Sequence, residues 1–271
     1  MRHAFSQEVI LAMKEYYTAL YHKVGLKNID EMVAWRLNEE DMEVDRLAKL
    51  EYVLNFNFGK GQKHLIIGSG TGGLAVELFK KGCEVYGIEP NIQANRIVRL
   101  KSEAINMPVE RFTTDKAEFL PFADNSFDFI HCVSVIEHVD NVEKSLKEMI
   151  RVLNPKGTIY LSTANYIFPY ERHYKIPFPT FLPKIFGYLY LWIRGRPCSF
   201  FQHLKFVNKM NIYRILYKSE YPLVWLRYTE QYSYLKDEVK YFYQRIWRYF
   251  TMVLGIQMNL ELFIKKLPPK A

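Results

Sequence analysis

The chain is poor in cysteine. It has three in 271 residues, Cys83, Cys132 and Cys198, scattered without the spacing of metal ligands. That excludes a disulfide framework and points to a reducing compartment. No internal repeat and no low-complexity tract is present, which excludes a repeat architecture. The most apolar stretch, Phe181 to Ile193, is too short and too broken by prolines, Lys184 and Gly187 to span a bilayer. Glu8 and Glu15 sit among the first apolar residues, which argues against a signal peptide. The expected location is therefore cytoplasmic, with peripheral contact at the inner membrane face left open. What is present is a globular composition, 49% hydrophobic and 24% charged. The length suits one large α/β domain with an attached cap, or two small domains.

Charge and aromatics are unevenly spread. Residues 1–165 carry 20 Lys and Arg against 23 Asp and Glu, while residues 166–271 carry 17 against 6. The second part also holds 27 of the 43 aromatic residues. A basic, aromatic segment behind a near-neutral core suggests an anionic partner: a phosphorylated substrate, a membrane surface or nucleic acid. A solvated basic face over an aromatic core is the equally simple reading.

Residues 1–60 read as a helical segment, with Val9, Met13, Tyr16 and Leu20, then Val44, Leu47, Leu50 and Leu54, at helical spacing. From residue 61 strand and helix alternate through 165, which predicts a parallel sheet covered on both faces. Asp140-Asn-Val-Glu143 reads as a capping box opening a helix. Residues 166–271 are expected to form an aromatic basic cap, centred on 166–206, and closing strands. Those elements are a helix near 209–219, a strand at 223–228, an aromatic helix at about 235–250 and a final strand at 258–266.

The most informative stretch is His64-Leu-Ile-Ile-Gly-Ser-Gly-Thr-Gly-Gly73. A short apolar strand runs into a glycine turn and then a helix, and a second strand ends at Glu89, roughly 20 residues on. Glycines let a ligand approach the backbone, and the helix N-terminus offers unpaired N–H groups to an anion. Gly68, Gly70 and Gly73 satisfy a dinucleotide fingerprint, and Gly68, Gly70 and Gly72 satisfy an alternative turn, so the glycines alone leave two nucleoside cofactors open.

The later motifs separate them. Tyr86-Gly-Ile-Glu-Pro90, Ala117-Glu-Phe-Leu-Pro-Phe122, Asn125-Ser-Phe-Asp-Phe129, Glu137-His-Val139 and Arg151-Val-Leu-Asn-Pro-Lys-Gly157 follow the glycine turn in order. This succession, over roughly residues 60–165, resembles the class I S-adenosylmethionine-dependent methyltransferases, closest to the branch acting on small molecules. The resemblance implies a Rossmann-like, doubly wound, mostly parallel sheet with an antiparallel final strand. It implies S-adenosylmethionine as cofactor, with Gly68, Gly70 and Gly72 around its methionine end. Glu89 would bind its ribose, Asp115, Ala117 and Glu118 would border its adenine with Phe119 or Leu120 near the face, and Ser134 would lie beside the sulfonium. Two positions depart from the family pattern: Ile66 and Lys116 stand where acidic residues are usual, with Asp115 a possible substitute for the second. No Asn/Asp-Pro-Pro-aromatic motif and no Pro-Cys nucleophile is present, which argues against methylation of nucleobases.

An acceptor hydroxyl must lose its proton to become a good nucleophile. His138, on the rim after the fourth strand, is the first candidate base. Asn165-Tyr-Ile-Phe-Pro-Tyr-Glu-Arg-His-Tyr174 is a second cluster, similar to that of bacterial methyltransferases of surface glycans and other small products. There Glu171 and His173 would act on the acceptor, and Tyr166, Tyr170 and Tyr174 would stack on it. No zinc or oxygen-cage spacing is visible, so no metal is expected. The reading is O-methylation of a small or lipid-linked acceptor such as a glycan, with a quinone or lipid acceptor as runner-up and membrane contact through 176–196. An RNA methyltransferase and a catalytically inactive cofactor-binding module are the readings from other classes. Oligomeric state has no signature in the sequence.

Overall fold

The computed structural model describes residues 5–168, 170–178, 183–218, 223–227 and 259–266. Three helices come first, α1 (Gln7–Lys23), α2 (Ile29–Arg36) and α3 (Glu39–Leu54). The alternating part runs β1 (Lys63–Ile67), α4 (Gly73–Lys80), β2 (Glu84–Ile88), α5 (Ile92–Ala104), β3 (Phe112–Thr113), β4 (Phe127–Val133), α6 (Val142–Val152) and β5 (Leu153–Ala164). A small hairpin, β6 (Tyr170–Glu171) and β7 (Ile176–Pro177), precedes α7 (Lys184–Ile193) and α8 (Lys209–Tyr217). Strands β8 (Leu223–Arg227) and β9 (Asn259–Lys266) close the sheet.

The seven strands lie in the order β3-β2-β1-β4-β5-β9-β8. The first five are mutually parallel, and β9 runs antiparallel to both β5 and β8. This is the Rossmann-like α/β fold with an antiparallel final strand that the sequence implies. Side chains alternate across β1 because its period is two. Leu65 and Ile67 enter one core with β4, α6 and α8, and Ile66 enters the other with Leu47, Leu74 and Phe129. Both faces are apolar, so both must be covered, and helices cover them. Ile66 thus serves packing where the family has an acid.

Several expectations shift. Val44 is exposed, and α3 instead buries Leu47 and Leu50. The cap of α6 is Asn141, whose side chain accepts from the Lys144 N–H (3.0 Å), rather than Asp140. Asp140 is free of that role because it pairs with Lys116 (2.8 Å). β5 begins at Leu153, because the chain pairs with β4 at Phe127 before the turn residues Pro155 to Gly157. The aromatic helix expected at about 235–250 lies outside the described residues. Among the described residues no helix is long and apolar enough to cross a membrane.

The aromatic cap has its own core of Tyr174, Ile176, Phe178, Leu191, Phe201 and Leu204. Gly187 lets α7 approach Phe201 and Phe178, since a Cβ there would lie 2.6 and 2.8 Å from those rings. The other face of α7 leaves Ile185, Phe186, Leu189, Trp192 and Ile193 exposed.

Candidate active site

The strand order reverses between β1 and β4, and the carboxyl ends of strands open a crevice at such a point. The turn after β1 is tied down by the Ser69 N–H, which donates to the Ile88 carbonyl (2.9 Å). Gly68 has φ +68° and a Cβ on it would overlap Val135 Cγ2, so only glycine fits both the backbone and the space. Gly70 has φ +55° but a Cβ there would meet nothing within 4 Å. Gly72 caps α4. The open space at Gly70 is the approach that a ligand against the backbone requires.

Glu89 follows directly on β2, as expected. Its carboxylate accepts from the Gly70 N–H and the Asn91 N–H, both at 2.9 Å. Burial pushes the Glu89 carboxyl up, against the pull of those two N–H groups. Each oxygen keeps a second lone pair that a ribose hydroxyl can use.

A cavity of about 140 Å³ runs from this turn to His138. It is lined by Ile67, Gly68, Ile88 and Pro90 on one side and by Ala117, Glu118, Val135 and His138 on the other. Glu118 accepts from the Asn141 N–H (2.9 Å), fixing the start of α6 beside the cavity. Lys116 and Asp140 form an exposed pair across its rim. The cavity thus brings Ala117-Glu118 opposite Ile88 and Pro90, the neighbours of Glu89, and these residues fit an adenosine; Glu89, Gly70, Gly72 and Ser134 are not themselves in its lining. Asp115, Phe119 and Leu120 do not line the cavity. Phe119 is exposed under Lys144, and Leu120 is core. Ser134 follows β4 at φ +54°, a left-handed backbone uncommon for serine, with its N–H on the Ser162 carbonyl (2.7 Å).

The structure joins the two clusters that the sequence keeps apart. His138 Nε2 lies 3.2 Å from His173 Nε2, and His173 Nδ1 lies 2.7 Å from Glu171 Oε1. Glu171 is fully buried and also accepts from the Tyr174 N–H (2.7 Å). A buried carboxylate on Nδ1 sets the hydrogen there, which leaves His173 Nε2 with its lone pair. Burial, with the His173 ring second, pulls the His138 pKa down to about 3, so the ring is neutral at pH 7. Glu137, buried beside them, accepts from Thr163 Oγ1 (2.8 Å), and burial raises its pKa.

The three tyrosines do not form the expected stacking surface. Tyr174 is fully buried, and its hydroxyl donates to the Pro197 carbonyl (2.7 Å). Tyr166 stacks on Phe206 with 4.7 Å between centroids, and its hydroxyl faces Glu171 (3.4 Å). Their rings are spent on packing because the cap needs its own apolar core. Tyr170 alone of the three stays partly exposed.

A brace behind the glycine turn has no local sequence signal beyond Thr71 itself. Thr71 donates to Glu39 (2.6 Å), Tyr17 shares the same carboxylate (2.7 Å), and Lys101 reaches both Glu39 (2.7 Å) and Glu40 (2.6 Å). Burial works to raise the Glu39 pKa, and the Lys101 ammonium together with the Thr71 and Tyr17 hydrogen bonds outweighs it and holds the carboxyl low. This buried cluster fastens α1, α3 and α5 to the turn. Tyr16, one residue from it, has its pKa pushed up to about 12 by burial and then by Glu89.

Comparison with known proteins agrees with this fold. Residues 65–161 match the methyltransferase domain family. A ubiquinone/menaquinone biosynthesis C-methyltransferase of Rickettsia felis is 36% identical over 100 residues, 34% of this chain and 40% of that protein. A ubiquinone biosynthesis O-methyltransferase of Aliivibrio fischeri is 25% identical over 145 residues, 52% of this chain and 62% of that protein. The chain thus spans about half the length of the curated relatives it matches. The crystal structure of the YcgJ protein of Bacillus subtilis covers 80% of this chain, 97% of its own, at a TM-score of 0.51 and 16% identity, a likeness of fold alone.

Proposed function

We propose that this chain, whose residues 65–161 are a methyltransferase domain of the S-adenosylmethionine-dependent class, methylates an oxygen of a small or lipid-linked acceptor such as a glycan. The observation that supports the reading is one cavity bordered by Gly68 of the glycine turn, by Ala117-Glu118 and by His138. When bound, S-adenosylmethionine supplies a methyl carbon whose bond to positive sulfur breaks as the C–O bond forms, leaving a neutral thioether. The chain's own residues do the rest. Gly68 and Gly70 admit the ligand to the backbone, Glu89 holds hydroxyls, and Ala117 and Glu118 bound the base. The His138–His173–Glu171 cluster lies on the acceptor side, where the hydroxyl proton has to leave. Alignment at about 3 Å and exclusion of water supply much of the acceleration in such a transfer.

A quinone-like or other lipid acceptor is the second reading. The names of the ubiquinone-biosynthesis relatives favour it, as does the exposed apolar face of α7 beside Arg194 and Arg196. An amphipathic helix with basic flanks suits a membrane interface. The test is incubation of the purified chain with isotopically labelled cofactor and soluble or lipid extracts, with the labelled product identified by mass spectrometry. His138→Ala should retain affinity for S-adenosylhomocysteine and lose turnover. Normal turnover in that variant, or no label in either extract, would refute the assignment.

A further inference from the structure

We infer that Glu137, His138 and His173 form a binding site for one divalent transition-metal ion, zinc or a near neighbour, at the acceptor side of the cavity. The inference rests on the O-methylation reading and says how the cluster would ionise a hydroxyl.

The three side chains come from two places in the chain, the turn after β4 and the hairpin after β5. Each offers a ligand atom, and all three atoms lie within 4.8 Å of one another. Zinc binds imidazole nitrogen at about 2.0–2.1 Å, which puts two nitrogens on one ion roughly 2.8–3.4 Å apart at octahedral to tetrahedral angles. The separation of His138 Nε2 and His173 Nε2 is 3.2 Å. Two histidines and one carboxylate, with positions left open, are a donor set suited to zinc or to ferrous and manganous ions.

The surroundings point the same way. A metal-bound histidine commonly donates its other N–H to a carboxylate, which fixes the ring and its tautomer. His173 Nδ1 meets Glu171 at 2.7 Å, and Glu171 is itself held by the Tyr174 N–H. Glu137 is oriented by Thr163, and its backbone carbonyl accepts from the Lys205 N–H (2.7 Å). Glu137 accepts from Thr163 and feels the charges of His173 and Arg172, but the cost of its burial is the larger effect. A divalent ion beside the carboxylate would offset that cost. His138 lines the cavity and His173 is partly exposed, so an ion has a way in and an open side.

An acceptor hydroxyl on such an ion loses its proton to solvent more easily, because the cation stabilises the alkoxide. The oxygen then forms the new C–O bond as the C–S bond breaks, and the charges balance without an oxidant or reductant.

The test uses the full chain, stripped with a chelator, dialysed and titrated with Zn²⁺ and, as a spectroscopic reporter, Co²⁺. Elemental analysis should find one ion per chain, and cobalt should show the absorption of a nitrogen-ligated, low-coordinate site. His173→Ala and Glu137→Gln should each weaken binding at least tenfold while S-adenosylhomocysteine affinity and the circular dichroism spectrum are kept. His173 is partly exposed whereas Glu137 is buried, so its variant should fold even if Glu137→Gln does not. Absence of a stoichiometric ion, or unchanged binding in His173→Ala, would overturn the inference. Full methyl transfer by metal-free protein would overturn it too and leave the proposed function standing. Loss of S-adenosylhomocysteine binding by the wild-type chain in every metal state would instead refute the proposed function.

Discussion

Gly68 and Gly70 stand two residues apart in one turn, both in left-handed backbone, yet alanine should act on them in opposite ways. A left-handed conformation costs a residue with a Cβ about 1–2 kcal/mol, and both variants carry that cost. It cancels when the two are compared. What remains is the space around the new methyl group. At Gly68 it would overlap Val135 Cγ2 and lie 3.2 Å from Cγ1, so the turn or β4 must shift. At Gly70 it meets nothing. Overpacking of this kind costs about 1–3 kcal/mol, so Gly68→Ala should be less stable than Gly70→Ala by that amount. Urea unfolding measures the difference. Adding Val135→Ala to Gly68→Ala should recover part of the loss, because the overlapping atoms are gone. Calorimetry with S-adenosylhomocysteine then reads the other half. Gly70→Ala should stay folded and lose more than about tenfold in affinity, roughly 1.4 kcal/mol, because its methyl enters the space left for the ligand. Native affinity in folded Gly70→Ala would refute the placement of the cofactor. Equal stability of the two variants would refute the packing argument.

Three further outcomes are expected. Lys101→Met should destabilise by about 3–5 kcal/mol in urea, because it leaves the buried Glu39 without its countercharge, and Glu39→Gln should cost less, because Lys101 keeps Glu40; a loss below about 1 kcal/mol in Lys101→Met would show that the brace is not buried as described. His64 is fully buried, and burial pulls its pKa down to about 4. Between that value and about 6.5 the unfolded chain takes up a proton on this group that the folded chain refuses, so stability should fall as pH drops through this window, by about 3 kcal/mol from His64 alone. His131 and His138, whose pKa values burial also lowers, act in the same direction, so His64→Leu should lessen the slope in urea titrations at successive pH values without abolishing it, and an unchanged slope would assign it to the other two. Phe186→Ser with Trp192→Ser should abolish co-sedimentation with phosphatidylglycerol vesicles while stability stays within about 0.5 kcal/mol, since both side chains are exposed. Unchanged pelleting would exclude α7 as the contact.

The alternating core was legible because its signals are local. Leu65 to Ile67 reads as a strand, the glycines read as a turn and Glu89 follows at the right interval, and each needs only neighbours in the chain to be recognised. The closing strands near 223 and 259 were legible for the same reason, as β-branched and aromatic runs. Val44 and Asp140 misled because exposure and partner choice are not local. Val44 keeps helical spacing yet faces solvent, and Asp140 is drawn from the helix cap to Lys116 across the cavity rim.

By itself the sequence determined the fold class and pointed to the crevice after β1, with Gly68, Ala117, Glu118 and His138 among the residues that line the cavity there, because hydrophobic period and glycine turns act over a few residues. Only the tertiary structure decided what lies 35 residues apart in the chain and 3.2 Å apart in space, the His138–His173 pair with Glu171 behind it. It also decided that Tyr174 and Tyr166 serve the cap's core and that Glu39 and Lys101 are buried together behind the turn. Burial and long-range pairing depend on which surfaces the sheet brings together, and no window of sequence contains both partners.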